Sequence, residues 1–202
     1  MRKARVEREA LSIGKAVFES ALIVVSVVLG FIISEWGTHA KERELAANVR
    51  RSVALEVAEN LKTIEPQMAR HYAAATALDR VPPQPGKIAL KVLSENLAGG
   101  SIAALPMKRA AWDAAVSSGA LRLLDRDLVE RYSHIYVTQE QIYDDDIRWL
   151  KTTLYRPENF DPSQQTVAVA TLAGVLSELA GNENLLRDLY KSELPALQKA
   201  AQ

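Results

Sequence analysis

Apolar residues are concentrated in one uninterrupted block near the start of the chain. Residues 20–34 read SALIVVSVVLGFIIS, fifteen consecutive positions without a charge. Extending the block to Ala16 and Trp36 gives twenty-one residues, and a helix of that length, at about 1.5 Å rise per residue, crosses a hydrocarbon core of about 30 Å. Trp36 lies where an amphipathic ring favours the headgroup boundary. The block therefore predicts a transmembrane helix at residues 16–36, preceded by a basic N-terminal segment at residues 1–15.

Two other kinds of segment have a similar composition. A core helix of a soluble protein rarely carries an uninterrupted run this rich in valine and isoleucine. A cleaved signal peptide would have the basic start, but its apolar region is usually shorter, and no small-x-small cleavage pattern follows cleanly here. A membrane anchor that stays attached is the favoured interpretation.

Beyond Gly37 the apolar positions recur at every third or fourth residue, as one face of a helix requires. These positions are Leu45, Val49, Val53, Val57, Leu61, Ile64, Met68 and Tyr72. The transmembrane helix is therefore predicted to continue as a stalk helix over residues 37–80, ending at about Asp79. The sequence VPPQPG at residues 81–86 stops it, because proline and glycine both disfavour a continuing helix.

The rest of the chain is predicted to form a linker with a short helix, residues 81–106, and a helical domain, residues 107–202. The short helix covers residues 88–97 and is closed by Gly99 and Gly100. The helices of the domain are each bounded by glycine, proline or aspartate: residues 107–117 after Pro106, 126–154 after Asp125, 162 to about 180 after Asp161, and 181 to about 201 from Gly181-Asn182.

Hardly any segment alternates with a period of two, so strands are not expected. The apolar face of the long helix would hold Leu128, Tyr132, Ile135, Ile142 and Trp149. Most of the aromatic series Tyr132, Tyr136, Tyr143, Trp149 and Tyr155 is expected to be buried or half-buried by packing, and the alternative is that a few of these rings line a groove for a partner helix. The predicted fold class is all-α. One N-terminal transmembrane helix continues into a long stalk helix, and a small antiparallel helical domain packs on it.

A polar stripe runs along the predicted transmembrane helix. Glu19, Ser26, Gly30 and Ser34 are separated by seven, four and four residues, which places them on one helical face. The small residues at 26, 30 and 34 form a small-xxx-small pattern, which lets a second helix approach closely. The alternative is that these small residues occur by chance and that the Glu19 side chain extends to the boundary between membrane and water. The functional interpretation is a helix–helix contact with a second copy or with another membrane protein.

Charge bears on orientation and partners. Arg2, Lys3, Arg5, Arg8 and Lys15 precede the apolar block, whereas Lys41, Arg43, Arg50 and Arg51 follow it at a greater distance. The positive-inside rule therefore favours a single-pass protein with a cytoplasmic N-terminus and an extracytoplasmic C-terminal domain, which in a bacterial inner membrane would be periplasmic. Charged residues make up 25% of the chain and the formal net charge is zero, so no overall field attracts nucleic acid or acidic lipid. The lipid bilayer is an expected partner because of the apolar block, and nucleic acid is not expected.

No group of residues predicts catalysis, a cofactor or a metal ion. Ser117-Ser118-Gly119 lacks the glycine and the strand of a nucleophile elbow and is better explained as a helix C-cap. Three consecutive aspartates, residues 144–146, point in different directions from a helix and fail the calcium-loop spacing. His39, His71 and His134 are scattered, and the chain has no cysteine. The protein is therefore predicted not to be an enzyme.

Three stretches of the chain resemble an uncharacterised family of bacterial single-span membrane proteins, a domain of unknown function. The apolar block opens with Glu19 and closes with ISEW at residues 33–36, and the charged sequence KEREL follows at residues 41–45. The most distinctive stretch is WDAAVSSGALRLL at residues 112–124, with Asp127, Leu128 and Tyr132 after it. The resemblance implies an N-terminal transmembrane helix with a helical C-terminal domain, and it implies no chemistry.

The leading functional hypothesis is a membrane-anchored interaction or accessory protein that oligomerises or binds a larger membrane assembly. The alternative is an extracytoplasmic ligand-sensing helical domain. Such a sensor would need a separate signalling partner, because about fifteen residues before the apolar block cannot hold an output domain. A hydrolase built from dispersed acids and serines is the least favoured hypothesis.

Overall fold

The structure is a computed structural model that describes the backbone of residues 2–97 and 102–202, and the side chains of Phe18 and of residues 22–97 and 102–202. The predicted all-α class is confirmed, since the described residues form helices, turns and coil without a strand. The α-helices are α1 (Arg2–Asp79), α2 (Ala89–Asn96), α3 (Ala110–Ser117), α4 (Arg126–Thr138), α5 (Asp145–Leu154) and α6 (Gln165–Ala200). A π-helical segment, Gln139–Asp144, joins α4 to α5, and short 3-10 turns cover Ala120–Leu123, Pro157–Phe160 and Pro162–Gln164.

The chain divides into two compact units, residues 1–45 and 46–202. The first consists of the N-terminal part of α1. The second contains the rest of α1 and all the other helices. From Ala46 onward, the segment predicted as a stalk therefore shares a core with the helical domain, and Val53, Val57 and Ile64 are fully buried there.

Within the second unit, α1 and α6 run antiparallel. Three contacts show this, because positions that advance along α1 and the coil after it meet positions that recede along α6. Lys191 Nζ lies 2.6 Å from Glu65 Oε1, His71 contacts Glu183, and Gln84 N–H donates to Gln165. The two helices form the frame on which α2 to α5 pack.

The end of α1 at Asp79 and the short helix after it are as predicted. The proline-rich stretch at residues 81–86 is coil, with Gly86 at a φ of +85°. Gly99 and Gly100, predicted to close α2, lie outside the described residues. Asp125 occupies the N-cap position of α4 as expected, although its side chain makes no capping hydrogen bond. Asp161 does cap with its side chain, accepting from Ser163 N–H at 2.8 Å, but at the 3-10 turn that precedes α6.

The inward face of α1 follows the apolar positions named above only in part. Leu61 and Met68 are half-buried and Tyr72 is exposed, whereas Asn60, Gln67 and His71 are fully buried. Each of these buried polar residues precedes an apolar position by one residue, whereas the apolar Ile64 is itself fully buried. Side-chain hydrogen bonds from Asn60, Gln67 and His71 to the segment of residues 102–111 accompany their burial.

Two helix boundaries also differ from the prediction. Helix α3 begins at Ala110 rather than at 107, and in the stretch before it the backbone groups of Leu105 and Lys108 bond to side chains of α1. The two helices predicted on either side of Gly181 are one helix, α6. A helical glycine costs only about 1 kcal/mol relative to alanine, and Leu179, Ala180 and Leu186 are buried on both sides of it.

The long helix over residues 126–154 is confirmed in extent but contains the π segment. A π turn holds more residues than an α turn, so the residues after it are rotated around the helix axis relative to an uninterrupted α-helix. Tyr143, Ile147 and Leu150 are buried as a result, while Trp149, predicted on the apolar face, is 37% exposed and Ile142 is half-buried. Tyr155, just beyond the helix, is 80% exposed.

Candidate functional site

The interior of the second unit contains a row of four polar side chains on one face of α1. We call Glu56, Asn60, Gln67 and His71 the polar row; their exposed fractions run from 7% to zero. They are spaced by four, seven and four residues, so the helix itself aligns them. Buried polar groups of this kind require hydrogen-bond partners.

The partners of the polar row are backbone groups of the segment of residues 102–111. Asn60 binds Lys108 twice, since its Nδ2 donates to the Lys108 carbonyl and its Oδ1 accepts from the Lys108 N–H, both at 2.8 Å. Gln67 Oε1 accepts from Leu105 N–H. His71 Nε2 lies 3.3 Å from the carbonyl oxygen of Ile102. The side chains of the polar row therefore satisfy backbone groups of this segment that helical hydrogen bonds do not satisfy.

Glu56 caps helix α3 from outside the helix. Its Oε2 accepts from Ala111 N–H at 2.8 Å, one of the first amide groups of α3, which no side chain of α3 itself satisfies. A carboxylate at a helix N-terminus also complements the helix dipole. Its other oxygen, Oε1, accepts from the Tyr136 hydroxyl at 2.6 Å. The ring of Tyr136 stacks on Trp112 of α3 with centroids 5.2 Å apart.

A second layer of buried polar groups comes from α4 to α6. Gln139 Oε1, at the start of the π segment, accepts from the Tyr190 hydroxyl at 2.8 Å and lies 3.5 Å from Asn60 Nδ2. The Tyr143 hydroxyl donates to the Leu105 carbonyl at 2.7 Å. Burial raises the pKa of Tyr136, Tyr143 and Tyr190 well above the ordinary tyrosine value, and it raises the pKa of Tyr132 to about 12. All four hydroxyls are therefore protonated at neutral pH.

His71 and Glu183 form a fully buried pair between α1 and α6. His71 Nδ1 lies 2.9 Å from both carboxylate oxygens of Glu183. Burial raises the pKa of the Glu183 carboxyl, and the hydrogen bond to His71 opposes that shift without cancelling it. His71 is the last residue of the polar row, and its other ring nitrogen, Nε2, contacts the Ile102 carbonyl.

Sequence reasoning missed this buried polar system, although the chain contained a signal for it. Asn60, Gln67 and His71 continue the three-to-four-residue period of the buried positions Val53, Val57 and Ile64. A polar residue at an apolar-periodic position indicates a buried hydrogen-bonding role. The neighbouring Leu61, Met68 and Tyr72 gave a second, competing apolar period one residue away.

In the first unit, the predicted stripe keeps its helical register. Ser26, Gly30 and Ser34 are exposed on one helix; Ser26 Oγ donates to the Leu22 carbonyl at 2.8 Å, and a Cβ added at Gly30 would meet no atom within 4 Å. The side chain of Glu19 lies outside the described residues. The stripe as a helix–helix interface stays a prediction.

Around the stripe, the apolar side chains of α1 are exposed. Among the described residues, α1 is the one helix that is both long enough and apolar enough to cross a membrane, judged by length and composition. Its most apolar stretch has a mean hydropathy of 1.7, and none of that stretch is buried. A signal sequence near the N-terminus has the same properties. The core helix of a soluble protein, by contrast, is mostly buried.

The other candidates from the sequence have local structural roles. Gly119 has a φ of +68° directly after α3, and Ser118 Oγ donates to the Ala114 carbonyl at 2.7 Å, so SSG is a helix C-cap as predicted. Asp145 pairs with Arg148 at 2.8 Å and Asp146 accepts from Asn182 at 2.7 Å. Among the described residues, no three histidine, aspartate or glutamate side chains converge as a metal site would require.

One open cleft on the second unit combines both signs of charge. It has a volume of about 400 Å³ and is lined by Arg50, Asp125, Asp127, Leu128, Arg131, Ala196 and Ala200. Arg131 is already paired with Glu193 at 2.6 Å. The cleft is large enough for a small polar ligand.

Comparison with known proteins adds no relative. No family model matches the chain, and no curated protein or solved structure matches it either.

Proposed function

We propose that this protein is a single-pass protein of the bacterial inner membrane that works as an interaction or accessory module. Its helical domain would be anchored by residues 16–36, and the transmembrane helix would associate with a second copy or with another membrane protein. The observation that carries the proposal is the exposed apolar surface of α1, where Ile23, Val27 and Phe31 are each more than 60% exposed. The resemblance to single-span proteins of unknown function points the same way.

Physical chemistry supports lipid as the environment of this surface. Large apolar side chains are exposed over the run Phe18, Leu22–Val25, Val27–Leu29 and Phe31–Ile33. A soluble monomer rarely exposes a contiguous apolar patch larger than a few hundred Å². In a bilayer the same side chains are in their preferred solvent, and the helix satisfies its own backbone hydrogen bonds.

The stripe of small residues supports association of the helix. Apolar burial does not drive helices together within lipid, so close packing of small residues and polar contacts does so instead. Gly30 has open space where a Cβ would stand, and Ser26 and Ser34 lie one turn to either side. A partner helix could therefore approach the backbone along this line.

The excess of basic residues before residue 16 favours a cytoplasmic N-terminus. The helical domain would then be periplasmic. Its buried polar groups serve hydrogen bonds that hold the fold, which supports a binding role over catalysis.

The association is tested by purifying the full-length chain in mild detergent and measuring the mass of the intact complex. We expect a defined homo-oligomer or a stable complex with another membrane protein. The double substitution Ser26→Leu with Gly30→Leu adds bulk on the stripe and should abolish that complex. The matched control, Val28→Leu with Ile32→Leu, adds or rearranges apolar bulk on the opposite face and should leave the complex intact. A complex that survives the first pair, or a monomer in the unmodified chain, would contradict the proposal.

A second candidate function is ligand sensing, which the charged cleft at Arg50 favours. Its lining offers arginine and aspartate side chains together, the arrangement that would recognise a small zwitterion. Thermal-shift screening of the full-length chain against amino acids and other small zwitterions tests it. A stabilisation that Arg50→Gln removes would support sensing, and a flat response across the panel would reject it.

A further inference from the structure

The His71–Glu183 pair has a proton arrangement that its neighbours determine. The carbonyl oxygen of Ile102 can only accept a hydrogen bond, so the His71 Nε2 that lies 3.3 Å from it must carry a hydrogen. The contact between Nδ1 and the Glu183 carboxylate then needs one more proton between the two groups. That proton is either on Nδ1, giving an imidazolium and a carboxylate, or on Glu183, giving two neutral groups. The pair is electrically neutral in both forms.

Loss of this proton breaks one of the two contacts. Glu183 is then a carboxylate and His71 a neutral ring with one N–H. If that hydrogen is on Nδ1, the lone pair of Nε2 faces the Ile102 carbonyl. If it is on Nε2, the lone pair of Nδ1 faces a buried carboxylate. Because the second arrangement leaves a buried charge without a donor, the first is favoured and the contact with Ile102 is lost.

Gain of a proton has no such effect. An imidazolium donates from both ring nitrogens, and a protonated Glu183 still offers its carbonyl oxygen to Nδ1. The Ile102 contact therefore survives acidification, so the response to pH runs in one direction only.

The groups around the pair act on it from three elements. Arg70 of α1 favours the charged form of Glu183, while Asp146 of α5 disfavours it. Tyr143 of the π segment also interacts with Glu183. Burial is the largest influence and raises the pKa of Glu183 above its ordinary value. A raised carboxyl pKa contributes stability that is complete below the ordinary value and is lost as the pH rises through the raised one, the same direction as the loss of the Ile102 contact.

We propose that His71 and Glu183 form a pH-sensitive clamp, which holds Ile102 against α1 while the pair keeps its proton and releases it when the proton is lost. The release is local. Leu105 remains held by Gln67 and Tyr143, and Lys108 by Asn60. The clamp lies wholly within the second unit and does not depend on the proposed membrane function.

Hydrogen exchange of the full-length chain in detergent tests the clamp. After correction for the intrinsic rate, the amides of Ala103 and Ala104 should exchange about tenfold faster at about pH 9 than at about pH 6, a loss of about 1.4 kcal/mol of protection. The Leu105 amide, which donates to Gln67, should keep its protection. His71→Gln should remove this dependence on pH. His134→Gln changes an exposed histidine and should retain it. Equal protection of the unmodified chain at both pH values, or the same dependence in His71→Gln, would overturn the proposal.

Nitrogen NMR of the histidine rings keeps the test decisive if His71→Gln fails to fold. The chain has three histidines, and His71 is identified as the buried ring by elimination, using His39→Gln and His134→Gln. We expect both ring nitrogens to have a hydrogen-bonded proton at mildly acidic pH, and only Nδ1 to carry a hydrogen at alkaline pH, once the pair has lost its proton. A ring that keeps the Nε2 hydrogen across this range would overturn the clamp.

Discussion

Tyr132 and Tyr136 lie one helical turn apart on α4, and both are buried, yet their hydroxyl groups differ. The Tyr136 hydroxyl donates to Glu56 at 2.6 Å, and Glu56 in turn caps helix α3. The Tyr132 hydroxyl is buried without a hydrogen-bond partner in the described part of the chain. One hydroxyl is therefore part of the connection between α1, α3 and α4, and the other contributes desolvation without a compensating bond.

We predict opposite effects when each tyrosine is changed to phenylalanine. Tyr136→Phe leaves a Glu56 oxygen buried without its donor, and should lower the free energy of unfolding by about 1–3 kcal/mol. Tyr132→Phe removes an unpaired hydroxyl, and should be neutral or slightly stabilising. The measurement is thermal unfolding of the full-length chain at neutral pH, where both hydroxyls are protonated. Equal losses in the two variants would contradict these assignments.

Sequence reasoning identified these tyrosines as core residues but could not assign their partners. The helical period alone predicts that Tyr132 and Tyr136 point inward, because it depends only on local geometry. The bond to Glu56 joins residues eighty positions apart. It depends on how α1 and α4 pack, which no local pattern contains.

Helix α6 shows the limit of turn signals. Gly181-Asn182 is a strong local signal for a helix end, and it predicted two helices where the structure has one. Proline and glycine at residues 81–86 did end α1, since three prolines in six positions remove backbone donors that the helix needs. A single glycine removes none, so packing on either side decided the outcome at Gly181.

Alanine substitution at two glycines tests this helix directly. A Cβ would meet no atom within 4 Å at Gly181 or at Gly119, but Gly119 has a φ of +68° and Gly181 lies within α6. Gly181→Ala should therefore stabilise the protein by about 0.5–1 kcal/mol. Gly119→Ala should destabilise it by about 1 kcal/mol or more, because an L-residue is strained there. Melting temperatures that fall for Gly181→Ala would show a helix break at that position.

The π segment is the element that was hardest to predict from the sequence. Its first residue, Gln139, is buried against Asn60 and Tyr190, and the wider turn brings Tyr143 inward to reach Leu105. The sequence QEQIYD contains no proline or glycine that would indicate an interruption of the α-helix. Tertiary hydrogen bonds compensate for the irregular turn, and these form only when α1, α4 and α6 are together.

The two units of the chain have opposite distributions of polarity. In residues 46–202 apolar side chains form the core, together with buried polar side chains most of which make hydrogen bonds. Gln67 Nε2, Gln139 Nε2 and the hydroxyls of Tyr132 and Thr153 are buried without a partner in the described part of the chain. In the described side chains of residues 1–45, the large apolar groups are exposed. The second unit has polar groups outside and apolar packing inside, and the exposed apolar surface of the first unit fits the lipid environment that we propose for it. The apolar block was plain in the sequence because composition alone defines it.

We propose that residues 16–36 anchor the chain in the membrane with the helical domain on the periplasmic side, and cysteine labelling tests this topology directly. Because the chain has no cysteine, a single added cysteine can be labelled at one site only. Ser192→Cys lies at an exposed position of α6, and Ser12→Cys lies in the basic segment before the apolar block. Each variant is expressed in bacteria and treated with a membrane-impermeant maleimide, first in intact spheroplasts and then after lysis.

We predict that both variants sediment with the membrane fraction. The cysteine at position 192 should be labelled in intact spheroplasts, whereas the cysteine at position 12 should be labelled only after lysis. Labelling in the reverse pattern would contradict the orientation. Recovery of the full-length chain in the soluble fraction, or of a chain shortened at the apolar block, would contradict the membrane anchor itself.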